Sequence, residues 1–309
     1  MATQRTLYSP LTLLTAALFG VVQSLGAWPW VDGVGTVGVD GRVRYMSLGT
    51  KFSSGSDRFA AGAARGEQVH YFEDRPGSAL SILATDMTVT VVPLVRTEIS
   101  LAGTWVVDAS SGAASRSGFG DSRVALKGQM VERVPLAVFA GLIIPTGAKT
   151  TDAGLVSLGD GFWVPFVGLA PGTRIGHRFL LFSSQQINFP ARRALSSSRY
   201  ASFADDHERR GLAWQGGITF LGGTSWWGGG LSAEWMVSAP TTGKLVGERV
   251  RRPGRSHVSA RLTLDQKLGP VKTVQELLLP IAGVNSPASP SVSAGVQWKF
   301  RTASERRNS

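Results

Sequence analysis

The densest polar run in the chain is Asp205-Asp206-His207-Glu208. An Asp–His pair can activate water as a general base, and carboxylates with an imidazole can hold a hard cation. Both need side chains that converge, and a polar run in so basic a neighbourhood reads first as a solvated loop. His70, His177 and His257 fall in or near expected strands, and His257 adjoins Ser256. A Ser–His hydrolase would need a lipid-side Ser and His with a polar orienter, and no motif of that kind surrounds these residues. Gly33-Val34-Gly35-Thr36-Val37-Gly38 fits the dinucleotide pattern Gly-x-Gly-x-x-Gly. No clear strand precedes it and no helical periodicity follows, so the βαβ context is missing. With 38 glycines in 309 residues, chance produces such a match. The absence of cysteine removes disulfides, thiolate metal sites and thiol nucleophiles. No catalytic residue, metal or cofactor is therefore expected.

A second set of polar residues has a regular spacing. Glu98, Arg123, Lys127, Glu234, Arg261, Asp265, Glu276 and Lys299 each alternate with apolar neighbours. Strand side chains point alternately to the two faces, so a strand can be apolar on one side and charged on the other. Ile99, Leu101, Gly103, Trp105 and Val107 oppose Glu98, Ser100, Ala102 and Thr104. Val124, Leu126 and Met130 oppose Arg123, Lys127 and Gln129, and Leu231, Ala233, Trp235 and Val237 oppose Ser232 and Glu234. Val258, Ala260, Leu262 and Leu264 oppose His257, Arg261 and Asp265. In a membrane barrel the charged face must be the lumen, because Arg or Lys facing lipid at mid-depth costs about 2–4 kcal/mol. Inward charges can close a narrow barrel as an ion-pair network or line a polar path, and the two can coexist.

Twelve segments carry the period-two signal: roughly 36–47, 82–93, 97–107, 120–131, 134–144, 161–170, 174–186, 210–221, 226–238, 256–266, 271–281 and 290–300. The facing of the eleventh is ambiguous because Leu277-Leu278-Leu279 is continuous. Short connections hold turn residues: Pro93 to Arg96, Glu132-Arg133, Pro171-Gly172, Gly222 to Thr224 and Leu268-Gly269-Pro270. Long ones alternate with them: 48–81, 108–119, 145–160, 187–209, 239–255 and 282–289. That rhythm implies an all-β fold, a single antiparallel transmembrane β-barrel of twelve strands with short periplasmic turns and long extracellular loops. Phe59 to Gln68 is a candidate short helix in the first loop.

Composition agrees. Charged residues are only 17%, mean hydropathy is +0.06, and Trp outnumbers Tyr nine to four. No stretch reaches the ~18 apolar residues of a spanning helix. Residues 1–27 read as a secretory signal, with Arg5 as the lone charge and Leu11 to Val22 apolar. Ser24-Leu25-Gly26 and Leu25-Gly26-Ala27 both suit cleavage. Residues 28–300 then form the barrel and 301–309 a polar tail. The net charge of +11 is spread along strands and loops without an aromatic-basic recognition module, so nucleic acid is not expected. Loop clusters at Arg192-Arg193, Arg209-Arg210, Arg249, Arg251-Arg252 and Arg255 could contact lipopolysaccharide phosphates or draw in anions.

The last strand, Ser293-Ala294-Gly295-Val296-Gln297-Trp298-Lys299-Phe300, resembles the C-terminal β-signal of Gram-negative outer-membrane barrels, carried by Ser293, Gly295, Trp298 and Phe300. Further blocks resemble the outer-membrane barrel family named for the meta-pathway of phenol degradation. They are Gly118-Phe119-Gly120-Asp121, Ala140-Gly141-Leu142-Ile143-Ile144-Pro145-Thr146-Gly147, and Lys267 to Asn285 with its Gln275-Glu276 and Leu279-Pro280. Gly118, Gly120, Asp121, Pro145, Thr146 and Gly147 read as structural turn residues. The resemblance implies an outer-membrane location, insertion by the barrel-assembly machinery, and passive passage of a small, hydrophobic or aromatic solute. A structural or adhesive barrel with a plugged lumen is the alternative, and a loop-borne hydrolase the third. Nothing resembles a plug domain with an energy-coupling segment.

Overall fold

Twelve strands hydrogen-bond into one antiparallel ring in the computed structural model, which describes residues 29–53, 64–70, 80–108, 116–131, 135–147, 161–194, 207–245 and 248–302. In chain order they are β1 (Thr36–Leu48), β2 (Leu80–Leu94), β3 (Thr97–Asp108), β4 (Ser122–Val131), β5 (Leu136–Ile144), β6 (Val164–Ile175), β7 (Phe179–Asn188), β8 (Ala213–Gly223), β9 (Trp227–Ser238), β10 (Arg255–Leu268), β11 (Val271–Val284) and β12 (Ser291–Arg301). Each pairs with its sequence neighbour, and β12 pairs with β1 from Thr36↔Arg301 to Met46↔Ser291, so the ring has no open edge. No helix occurs among the described residues. The strands run from 9 to 15 residues, enough for a tilted strand to cross a bilayer.

The alternation sorts as its chemistry demands. Val292, Val296, Trp298 and Phe300 are exposed on the outside of β12, and Ser291 is buried inside. Ile99, Leu101 and Trp105 face out and Glu98 in; Leu231 and Val237 face out and Glu234 in. In β11 the leucine run resolves with Leu279 outward and Leu278 against the interior beside Glu276. The outer surface is thus an apolar belt, which water would not tolerate over so large an area and lipid does.

The expected turn at Pro171-Gly172 is not one. β6 continues through both residues to Ile175, and the chain reverses after Gly176, whose φ of 64° favours glycine. Pro171 stands opposite Leu136 of β5. The β6–β7 ladder skips between Phe182↔Gly172 and Gln185↔Leu169, where proline has no N–H to give. The turns at Arg96 (φ 62°) and Gly269 (φ 65°) stand where expected. The proposed loop helix fails as well. Ala64 to Glu67 form a turn, closed by Glu67 N–H donating to the Ala64 carbonyl at 3.1 Å. Gln68–His70 is then a strand that pairs with Thr50–Phe52. Residues 1–27, 59–63, Glu132-Arg133 and 303–309 lie outside the described residues.

The long loops add structure on the side opposite Thr36 and Arg301. Arg116–Phe119 pairs with the end of β3, and Ser286–Pro287 joins Thr50–Phe52. Arg192–Ala194, His207–Arg209, Thr241–Leu245 and Glu248–Arg252 make a four-stranded sheet from the two loops that follow β7 and β9.

Inside the ring, β4 to β6 bury Ala125, Ala137, Phe139, Ile143, Val164, Phe166 and Ala170, joined by Phe162 from the preceding loop. Phe139 and Phe166 fit because Gly141 and Gly168 leave room for the rings. A Cβ at Gly168 would overlap the Phe139 ring, whereas one at Gly41 would meet nothing. Gly168→Ala is therefore expected to destabilise the barrel by about 1–3 kcal/mol through overpacking, and Gly41→Ala to leave it nearly unchanged. Urea midpoints of the two refolded variants check this, and equal midpoints refute it.

Candidate functional site: the barrel interior

One half of the inner wall is a continuous belt of ion pairs. Arg261 on β10 lies 2.8 Å from Glu234 on β9 and 3.1 Å from Glu276 on β11. Glu276 lies 2.8 Å from Arg42 on β1, and Asp40 grips the same guanidinium through Nε at 2.8 Å and Nη2 at 3.0 Å. Ser293 Oγ donates to Glu276 Oε2 at 3.2 Å, which brings β12 into the belt. Further round, Arg44 lies 3.8 Å from Asp86, whose Oδ1 accepts from Thr104 Oγ1 at 2.7 Å. Lys272 binds Asp265, and Lys127 binds Glu98, each at 2.8 Å.

The other half is largely apolar. Arg123 on β4 enters it, its guanidinium 4.2 Å from the centre of the Phe166 ring and its Nη2 donating to Gln186 Oε1 at 3.0 Å. Gln186 in turn donates to Asn188 Oδ1 at 2.6 Å. Inside lies a cavity of about 150 Å³, lined by the apolar Phe139, Phe182, Leu221 and Val274 and by polar side chains that include Arg42, Arg123, Gln186, Gln215, Arg261 and Glu276. A void of about 30 Å³ lies beyond the Arg42–Glu276–Arg261 cluster, against Arg44 and Leu278.

The segment before β1 crosses the mouth at the end of the barrel where Thr36 opens β1 and Arg301 closes β12. Pro29 is fully buried, packed where a Cβ of Gly172 on β6 would sit. Trp30 lies 5.5 Å from the Arg174 guanidinium, and Val31 N–H donates to Gln129 Oε1 of β4 at 3.1 Å. Asp32 pairs with Lys299 at 2.7 Å. β4 stands three strands and β6 five strands round the ring of twelve from β1, so residues 29–35 form a strap over the opening.

Seven of the eight charged positions picked out in the sequence are drawn into interior contacts. Lys299 stands at the rim, 45% exposed, bound to the strap. Asp40, Arg42, Arg44 and Asp86 escaped that reading although Asp40-Gly41-Arg42-Val43-Arg44 alternates plainly. The inward aromatic residues of β5 and β6 were also missed, because an apolar inward face erases the alternation that marks it. Gly295 of the C-terminal motif stands opposite Arg42, and a Cβ there would run into that side chain. Trp298 and Phe300 pack together on the lipid face, ring centres 5.1 Å apart.

The two turn motifs interlock. Thr146 Oγ1 donates to the Gly120 carbonyl at 2.8 Å, and Gly147 N–H donates to Asp121 Oδ1 at 3.1 Å. Gly120 N–H reaches the Thr104 carbonyl at 2.7 Å, Gly118 pairs with Val106, and β5 ends just before Pro145. The remaining chemical candidates stay apart. His207 and Glu208 are consecutive in a strand and so point to opposite faces, as do Ser256 and His257. Asp205 and Asp206 lie outside the described residues. His177 sits in the turn after β6 and His70 in the first loop. Among the described residues no three acidic or imidazole groups gather to hold a metal.

No family model matches the chain, and no curated protein matches it. Among solved structures it is similar to an outer membrane channel from Pseudomonas putida F1, with 13% identity and a TM-score of 0.69 over 88% of this chain and 97% of that one. The likeness shows the fold: this chain shares that channel's β-barrel architecture. Looser likenesses are the translocator domain of the autotransporter NalP from Neisseria meningitidis (11% identity, TM-score 0.46, 92% of this chain and 94% of that one) and the TodX monoaromatic hydrocarbon channel (8%, 0.44, 90% and 93%). Only the first bears on the fold.

Removing one partner from a buried ion pair costs about 3–5 kcal/mol, while an exposed pair contributes about 0–1 kcal/mol. Glu276→Gln leaves Arg42 and Arg261 sharing no carboxylate and is expected to lower barrel stability by about 3 kcal/mol. Asp32→Asn, at a pair whose members are 41% and 45% exposed, is expected to change it by less than about 1 kcal/mol. Unfolding titrations in detergent distinguish the two, and a Glu276→Gln barrel as stable as the parent refutes the shared-carboxylate account.

Proposed function

We propose that the barrel is a passive outer-membrane channel for small hydrophobic or aromatic solutes. The cavity inside the barrel carries the reading. Its volume of about 150 Å³ matches an engineered protein cavity of about that size that binds benzene. Phe139, Phe182, Leu221 and Val274 supply apolar contacts, while Arg42, Arg261, Gln186 and Gln215 supply hydrogen-bonding groups for a polar substituent. A solute there exchanges water for packing without giving up hydrogen bonds. The likeness to an outer membrane channel agrees with this function. The finer assignment, to the barrels of the phenol-degradation meta-pathway, rests on the Gly118 to Asp121 and Pro145 to Gly147 blocks and on the C-terminal motif.

The strap and the ion-pair belt favour a second reading, a closed structural barrel. Single-channel recording of the refolded protein in planar bilayers separates the two. Conductance steps, reduced by benzoate added in millimolar amounts, are expected of the channel. A folded protein with no steps, and none after the strap is loosened, would leave the structural role. Asp32→Lys sets two cations at the rim in place of the Asp32–Lys299 pair and is expected to raise open probability at least twofold. Arg261→Gln with Glu234→Gln is expected to change benzoate block while preserving the fold, and unchanged block would remove the cavity from the path.

A further inference from the structure

The four-stranded sheet of the outer loops continues β7 to β10 in their own register. From Asn188↔Ala213 in the barrel to Arg192↔Arg209 in the loops, both strands advance four residues. The step from Ala213↔Ser238 to Arg209↔Thr242 is the same, and so is that from Ser238↔Arg255 to Thr242↔Arg251. An equal and even step returns side chains to the face they left. Lower down, that face carries the buried Gln186, Asn188, Gln215 and Met236. The row of Arg192, Arg209 and Arg251 therefore faces the axis of the outer mouth, as does the opposed pair Lys244↔Arg249 in the next row. Arg210, in the short link below Arg209, lays its guanidinium 4.6 Å over the buried Phe162 ring and adds a cation to the interior side.

Arg192, Arg209, Arg249 and Arg251 are exposed, so the mouth they face holds water. The acids of the described loop sheet, Glu208 and Glu248, stand at register positions of the other parity. Like charges directly opposed weaken a ladder, and Arg192 opposes Arg209. An anion in the mouth relieves that repulsion.

The same two strands lead from the arginine row to the cavity. Gln186 and Gln215 line it, six residues below Arg192 and Arg209, or about 20 Å along a strand. Asn188 is buried between the two levels, and its amide is oriented from below. Arg123 Nη2 donates to Gln186 Oε1, so Gln186 is left with Nε2 to give, and it gives to Asn188 Oδ1. What remains on Asn188 is its Nδ2 donor, which is buried with no acceptor among the described residues. An oxygen of an anion is the partner such a donor lacks.

The groups thus succeed one another in a fixed order. Guanidinium charge comes first, then an amide donor, then a cavity walled in part by Phe139, Phe182 and Leu221. We infer that the solute is an aromatic carboxylate, concentrated at the mouth by the arginine face and received in the cavity as an anion. The inference rests on the channel reading and narrows its solutes to aromatic acids.

The test is the zero-current potential of the full-length refolded protein in planar bilayers under a tenfold potassium chloride gradient. Block by benzoate, by neutral benzamide and by acetate is then recorded. Chloride is expected to pass at least threefold more readily than potassium. Half-block is expected at a benzoate concentration at least fivefold below that of benzamide, which keeps the ring without the charge. The same margin is expected over acetate, which keeps the charge without the ring. Arg192→Gln with Arg209→Gln is expected to halve the chloride preference and to raise the half-blocking benzoate concentration at least fivefold. Arg178→Gln with Lys267→Gln removes the same charge from exposed positions at the opposite mouth and is expected to shift it less than twofold. Heat-shifted gel mobility verifies that each variant is folded. Conductance without a chloride preference, benzoate no better than benzamide or acetate, or equal shifts in the two double variants overturns the inference and leaves the channel in place. A bilayer that stays silent even with Asp32→Lys removes the channel reading and this inference with it.

Discussion

A backbone that crosses hydrocarbon has no water to satisfy its N–H and C=O groups, so every one must be paired within the protein. For a chain of strands this means closure, and closure depends on β1 meeting β12 along Thr36↔Arg301 to Met46↔Ser291. The motif that ends the chain matters through that seam. Gly295 leaves space for Arg42, Ser293 reaches Glu276, and Trp298 and Phe300 lie against lipid. One strand thus joins the hydrogen-bonded ring, the interior ion pairs and the membrane-facing belt.

Closure also turns alternation into an inside and an outside. Charges that lipid would reject are gathered into one interior, where they approach each other closely enough to pair. Their pairing is uneven round the ring. The belt from β9 through β12 to β3 is ionic, while β4 to β6 pack phenylalanines into notches left by glycines. Neither chemistry alone lines the space left inside, and the cavity is bounded by both. A twelve-stranded ring encloses more space than side chains of an eight-stranded one need fill, so a cavity of this kind is affordable to the fold.

The outer loops follow the same rule at a different dielectric. Above the belt, water screens charge, and a ladder of arginines can persist at modest cost. Register rather than composition decides that five cations face one way. The strap at the opposite mouth is held by buried Pro29, by the Val31–Gln129 and Gly35–Val92 hydrogen bonds and by the exposed Asp32–Lys299 pair.

Much of this was legible in the chain. All twelve strands, their order and the alternation of short and long connections follow from period-two patterning, because one residue of slippage would put every charge into lipid. Ile99, Leu101 and Trp105 against Glu98 illustrate this. Where the signal was wrong it had a physical cause: Pro171 marks a turn locally, yet a strand keeps it when the ladder on one side lapses for two positions. The Phe139 and Phe166 wall was invisible because apolar residues on both faces look like no face at all. Partners were also out of reach. That Arg42 and Arg261 share Glu276, that Thr146 binds Gly120, or that residues 29–35 span the mouth depends on segments far apart in sequence being brought together. Alternation is a property of neighbouring residues and is written in the chain. Pairing across the lumen is a property of ring size and register, which exist only once the barrel has closed.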